Sequence, residues 1–312
     1  MDLSQNWLLM AVITPTFWAI CCVLDCCLIG NKIYRKPSDG AIVSSLFCLA
    51  PLLFLFIRDT QEVVTSVGEK GVPANAVLAG LAFALHLFFY FRTLHRLNDV
   101  SGAETFISLS VLIVPLFAWV MLGERLPGHF YLAFIIAASG VLIQCLPAIR
   151  KVGLLLLVNM LITMTAVSLS MVLQTGALES HGFILSTVFF NLTVFFVAMT
   201  FVIANPKSRQ RVVNLFQHYP VVLITGEVLS ILAVLSSHRA TQLGPSVSIV
   251  ALIECLLPLM IIAVSAALIL MNRYWPLLSS QHESILSLQL QGMQMKIGAL
   301  SLVMISLLIL MV

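Results

Sequence analysis

Apolar residues along this chain come in long unbroken runs, with neither the period-two alternation of strands nor the one-sided stripe of a surface helix. Polar residues, glycine and proline divide the runs into segments at roughly 8–29, 41–57, 74–91, 100–122, 130–149, 152–173, 183–204, 221–236, 247–271 and 297–312. A helix needs about 20 apolar residues to cross a hydrocarbon layer of ~30 Å, and in lipid only a helix or a closed barrel satisfies its own backbone hydrogen bonds. The absence of alternation excludes the barrel. The pattern therefore predicts an all-α integral membrane protein of ten transmembrane helices with mostly short connections. Two connections are longer, 58–73 and 272–295. In the second, Tyr274, Trp275 and Pro276 read as interfacial, and Ser280, Gln281, His282 and Glu283 as aqueous.

Composition sharpens this picture. Of 312 residues, 60% are hydrophobic and 9% charged, whereas a soluble domain carries about a quarter charged residues. The residues ahead of the first run, 1–6, lack the basic stretch of a secretory signal, so that run is expected to remain as a span. A net charge of +3 spread over many connections excludes a nucleic-acid partner. The seven cysteines lie within or at the ends of apolar runs, away from any polar disulfide framework. Cys21, Cys22, Asp25 and Cys26 stand about one helical turn apart, but no second ligand pair accompanies them, and no metal or other cofactor is expected.

Lysine and arginine report orientation, because cytoplasmic loops carry an excess of them. Lys32, Arg35, Lys36, Arg92, Arg96, Arg150, Lys151, Lys207, Arg209, Arg211, Arg273 and Lys296 share one side. Only Arg58, Lys70, Arg125 and Arg239 fall on the other. This distribution places both ends of the chain outside the cytoplasm.

The two halves, 1–149 and 150–312, repeat each other in order. Arg92 to Leu97 answers Arg239 to Leu243, and the run that follows each carries a glutamate ahead of a proline: Glu104 before Pro115, Glu254 before Pro258. Five spans per half is an odd number, so the second half enters the membrane inverted, as in many secondary transporters.

The stretch Pro115, Leu116, Phe117, Ala118, Trp119, Val120, Met121, Leu122, Gly123, Glu124, Arg125, Leu126, followed by 132–143 with Gly140, resembles the signature of the drug/metabolite transporter superfamily with paired EamA-type repeats. Leu243, Gly244, Pro245 and Pro258 keep parts of it in the second half, and 296–310 resembles the terminal helix of the repeat. The sequence departs where a second Gly-Glu would stand, at Leu270, Met271, Asn272 and Arg273. The resemblance covers essentially the whole chain. It implies a ten-helix transporter with a central cavity and cytoplasmic termini, and leaves the substrate open among amino acids, nucleotide sugars, amines and other metabolites.

An ionisable group within a span costs several kcal/mol unless it faces a cavity or a partner. Asp25, His86, Glu104, Glu227 and Glu254 are such groups, with Tyr90, Asn159, Gln174 and Asn191 as neutral polar companions. Glu254 stands one turn before Pro258, where the missing backbone N–H frees carbonyls for a polar ligand. Carboxyls so placed can contact substrate or exchange a proton with either side; Asp25 and Glu104, nearer span ends, can also reach water. Arg92 and Arg239 either grip an anionic head group or meet lipid phosphate. The expected function is a secondary transporter of a small polar metabolite, coupled to protons. A flippase for a lipid-linked or amphiphilic substrate has the same architecture. A membrane-embedded enzyme would need a nucleophile or metal motif, such as H-E-x-x-H or G-x-S-x-G, that the chain lacks.

Overall fold

The computed structural model describes residues 3–97, 100–151, 153–274, 280–290, 298, 301–306 and 309, which form helices and, among themselves, no strand. The first half holds α1 (Leu3–Gly30), α2 (Pro37–Phe47), α3 (Leu49–Lys70), α4 (Ala74–Leu97), α5 (Val100–Ile107), α6 (Ser110–Leu122) and α7 (Gly128–Lys151). The second holds α8 (Leu154–His181), α9 (Phe183–Ala204), α10 (Pro206–His218), α11 (Pro220–Leu243), α12 (Val247–Glu254), α13 (Leu257–Tyr274) and α14 (Ser280–Gln289). Among the described residues, seven helical stretches are long and apolar enough to cross a membrane: Asn6–Gly30, Ala74–Leu97, Val100–Leu122, Leu154–His181, Phe183–Ala204, Pro220–Leu243 and Val247–Asn272. Two shorter apolar helical stretches, Pro37–Leu52 and Gly128–Ile143, coincide with the second and fifth segments. Half of the tenth segment, together with Lys296, Trp275 and Pro276, lies outside the described residues; 301–306 are helical.

Three stretches differ from the pattern read off the sequence. The second segment is divided at Cys48, and its continuation α3 runs helically to Lys70 through what reads as a connection. Residues 206–218 form α10, started by Pro206 and by Asn205, whose side chain accepts from the Ser208 N–H at 3.2 Å. Part of the connection 272–295 is α14, and it is not wholly aqueous. Leu286 and Gln289 are buried, Gln289 Oε1 accepts from the Ser101 N–H at 2.9 Å, and Ile285 packs on the core. A helix with one apolar face escapes a hydropathy window, which averages that face with the polar one.

Tight turns follow local chemistry. At the end of α6, Gly123 takes the left-handed conformation (φ 70°) that a side chain would strain. Ser246 starts α12 by accepting from the Ile249 N–H at 3.3 Å while its hydroxyl donates to Glu124 Oε1 at 2.6 Å, joining the turn after α6 to the start of α12.

The two most extensive helix pairings are α4 along α8 and α1 along α11. Ser170 Oγ donates to the Ala79 carbonyl at 2.9 Å across the first. Helix α4 also packs on α9, α6 packs on α8 and α13 on α1, and the broken pairs cross as α5 on α13 and α6 on α12. Large apolar side chains cover the outside: Leu154, Val221 and Ile203 are 77%, 75% and 71% exposed. That exposure is costly in water and ordinary against lipid.

Candidate functional site

Two helices of the core are broken, and the breaks meet. Residues Ser108 and Leu109 separate α5 from α6, and Cys255 and Leu256 separate α12 from α13. Pro258 accounts for the second break: it has no N–H, and its ring clashes with the carbonyl of Glu254. No proline stands at the first break; Pro115 lies further along, inside α6. There Ser108 Oγ donates to the Glu104 carbonyl at 2.8 Å, and the Cys255 thiol donates across to the Ser108 carbonyl at 3.3 Å. Irregular backbone within a membrane span persists where it is buried in protein or lines a cavity.

Such a cavity is present. It measures about 130 Å³, and α1, α4, α5, α6, α8, α9, α11, α12 and α13 all contribute to its wall, with Ser108 and Cys255 among the lining residues. One water needs about 10–15 Å³ on the same measure, so the space admits a small organic molecule.

Five of the residues singled out from the sequence converge here: Glu104, Glu254, His86, Tyr90 and Gln174. Ser237 Oγ donates to Glu254 Oε1 at 2.7 Å. The Cys22 thiol donates to Glu104 Oε1 at 3.5 Å and accepts from the Tyr90 hydroxyl at 3.3 Å. His86 lies between the rings of Phe83 and Tyr90, with centroids 5.6 and 5.8 Å away, and its Nδ1 donates to the Thr163 carbonyl at 3.2 Å. A carbonyl oxygen only accepts, so the proton of this bond sits on Nδ1.

One lining residue, His238, stands outside that sequence-based set. His238 packs edge-on against Phe190 with centroids 4.8 Å apart. Gln174 is 2% exposed, lines the cavity, and neither its Nε2 nor its Oε1 has a hydrogen-bond partner. Gln174 was legible as a polar companion inside an apolar run. Nothing in the sequence distinguishes His238 from the polar end of a span.

Asp25 and Glu227 belong to a second, smaller pocket of about 20 Å³, with Cys21, Ser44 and Tyr34 in its wall. Ser44 Oγ donates to Glu227 Oε1 at 2.7 Å. Trp18, Leu87 and Tyr90 line both pockets, so the two are neighbours. Outside the spans, burial pushes the Tyr34 phenol well above its ordinary range, with the carboxyls of Glu227, Asp25 and Asp39 adding to the effect, so Tyr34 remains a neutral hydroxyl.

Arg92 and Arg239 line neither pocket. Arg92 lies over the Phe89 ring at 5.9 Å; Arg239 donates to the Gln242 side chain and lies over the Phe183 ring at 5.6 Å. No lysine or arginine among the described residues lines either space. The cysteine run on α1 fans out, with the Cys21 thiol donating to the Gly226 carbonyl at 3.3 Å and Cys22 pointing to Glu104 and Tyr90. Among the described residues no group of three or more His, Cys, Asp or Glu side chains is placed to hold a metal ion.

No family model and no curated protein matches this chain. What the cavity offers is therefore read from its own chemistry. Two carboxyls, an amide free at both ends, the rings of His86 and His238 and several hydroxyls face a space otherwise walled mostly by aromatic and aliphatic side chains. That is the composition of a small-molecule site, with apolar walls and a few convergent polar groups.

Proposed function

We propose that this chain is a multi-pass carrier of a cell membrane that moves a small solute by alternating access, built of ten spans in two inverted five-helix halves. The observation that carries the reading is the meeting of two broken helices, at Ser108 and Cys255, on a closely lined cavity between the long spans. Discontinuous helices at the junction of two repeats are how secondary transporters present backbone and side-chain polar groups to a solute within the membrane.

Support for inverted halves comes from one register that matches Arg92 with Arg239, Val100 with Val247 at the starts of α5 and α12, and Ser108 with Cys255 at the breaks. In that register α4 answers α11 and α8 answers α1. The pairing of α4 with α8 then exchanges with that of α11 with α1, and α6 on α8 exchanges with α13 on α1. The likeness to the drug/metabolite transporter superfamily at Pro115 to Leu126 agrees with this plan. Glu104 answers Ala251 and Glu254 answers Ile107, so the two glutamates reach the cavity independently and are not repeat mates. Glu104 and Glu254 are the solute-facing carboxyls. Asp25 and Glu227, in the neighbouring pocket, are the further candidates for proton exchange.

Reconstitution into proteoliposomes tests this reading. Uptake of radiolabelled amino acids, amines, nucleotide sugars and organic anions is measured with and without an imposed pH gradient. Saturable uptake of one class, lost in Glu254→Gln, is the expected result. Unchanged uptake and pH dependence in that variant would remove Glu254 from the mechanism. Movement of fluorescent lysolipid between leaflets without solute uptake would replace the carrier by a flippase.

A further inference from the structure

The central cavity carries an uneven electrostatic lining. Glu104 and Glu254 enter it from different halves, and no lysine or arginine among the described residues lines it. The groups that donate to the two carboxyls are neutral: the Ser237 hydroxyl for Glu254, and for Glu104 the Cys22 thiol, which itself accepts from the Tyr90 hydroxyl. A buried carboxylate served only by neutral donors lacks the cation that would offset its desolvation. A ligand bearing a positive charge supplies it; one bearing a negative charge adds a third like charge to the same space.

Gln174 points the same way independently of the acids. It is 2% exposed, lines the cavity, and both ends of its amide are without a partner. Buried polar atoms are paired in folded proteins, so an amide free at both ends marks the place of a ligand group able to donate and accept. The rest of the wall includes Trp18, Phe83, Tyr90 and Phe190, whose ring faces attract cations. A space of about 130 Å³ is far larger than a bare metal ion requires.

We propose that this cavity is an organic-cation site, taking a protonated amine on a compact body that also carries a neutral hydrogen-bonding group. The ammonium meets Glu104 and Glu254 among the aromatic rings, and Gln174 takes the neutral polar group. The substrate class rests on the carrier reading above, but the site itself can be tested without transport.

Three probes share one phenol ring and differ in head-group charge: tyramine, tyrosol and 4-hydroxyphenylacetate. Their binding to the full-length chain in lipid nanodiscs is measured by isothermal titration. Tyramine is expected to bind tightest and 4-hydroxyphenylacetate weakest. Glu254→Gln and Glu104→Gln should each weaken tyramine by about tenfold or more, close to 1.4 kcal/mol, while leaving tyrosol little changed. Gln174→Leu should weaken tyramine and tyrosol alike. The order among the probes on the unmodified protein decides the matter even if a variant fails to fold. Equal or tighter binding of 4-hydroxyphenylacetate, or no binding of any probe at millimolar concentration, overturns the proposal. Tyramine binding without uptake into proteoliposomes would overturn the carrier and leave the cation site standing. Uptake of the acid in place of the amine would do the reverse.

Discussion

Gln174 is a residue kept at a cost to the folded protein. Each unpaired buried amide atom costs about 1–3 kcal/mol, and Gln174 has two. Replacing it with methionine keeps the shape and removes both. Gln174→Met should therefore raise the melting temperature of the ligand-free protein, by an amount corresponding to about 1–3 kcal/mol, while lowering solute uptake. A lower melting temperature in the variant would mean that the amide is already satisfied in the native protein and is not held open for a ligand. Glu104, Glu254, His86 and Tyr90 were legible in the sequence because polar groups within apolar runs are expensive and so have a reason to be there. His238 was not. Ser236, Ser237, His238 and Arg239 in a row read as the polar end of a span, whereas α11 continues to Leu243 and all four lie within it. A hydropathy boundary marks where a helix meets polar surroundings, and here part of those surroundings is a cavity inside the protein.

Helix contacts show a second kind of constraint, one that depends on closeness. A methyl group on Gly80 of α4 would stand 2.7 Å from the Phe190 carbonyl oxygen and 2.8 Å from Thr193 Cβ on α9. Gly80→Ala must push the two helices apart, costing about 1–3 kcal/mol, and because Phe190 is a wall of the cavity it should also reduce uptake. Gly68→Ala is the matched control: nothing lies within 4 Å of its added carbon, so thermal melting should show no loss. An equal drop in both variants would remove the packing explanation. On the other side of the fold, α10 holds the start of α2. Arg211 Nε donates to Asp39 Oδ1 at 2.8 Å, and Asp39 Oδ2 also accepts from the Lys36 N–H at 3.0 Å. Asp39 is 1% exposed and Arg211 23%. Arg211→Ala leaves that carboxylate without its cation and should cost about 1–3 kcal/mol, discounted from a fully buried pair because the arginine reaches water; calorimetric melting measures it. The long apolar spans were readable because length and hydropathy suffice for them. Helix α10 was not, since Val212, Leu215 and Phe216 give it only one narrow apolar face among charged neighbours. The break at Ser108 was hidden too, because no proline marks it and it depends on Cys255 from the other half of the chain.

Across the molecule, the contacts gather the basic connections on one face. His95 Nε2 is 3.1 Å from the Tyr34 carbonyl, Asn31 Nδ2 is 2.9 Å from His282 Nε2, and Arg211 joins Asp39. Lys32, Arg35 and Lys36 belong to the first of these connections, and Lys207 and Arg209 accompany Arg211 on α10. The opposite face carries the Ser246–Glu124 bond and few cations. Cytoplasmic surfaces collect lysine and arginine, so the face with α10 should lie in the cytoplasm and the start of α1 outside it. The likeness to the drug/metabolite transporters implies the opposite. Two exposed positions separate these orientations: Glu69, near the end of α3, and Arg209 on α10. Glu69→Cys and Arg209→Cys are each treated with a membrane-impermeant maleimide on intact cells carrying the protein in the plasma membrane. The native thiols at Cys21, Cys22, Cys26, Cys48 and Cys255 are buried, and the half-buried Cys27 is replaced by serine, together with Cys145, in the labelling background. Labelling of Glu69→Cys in intact cells, and of Arg209→Cys only after permeabilisation, is the outcome the charge distribution requires. The reversed pattern would place α10 outside and show that the basic face is held there by something other than topology.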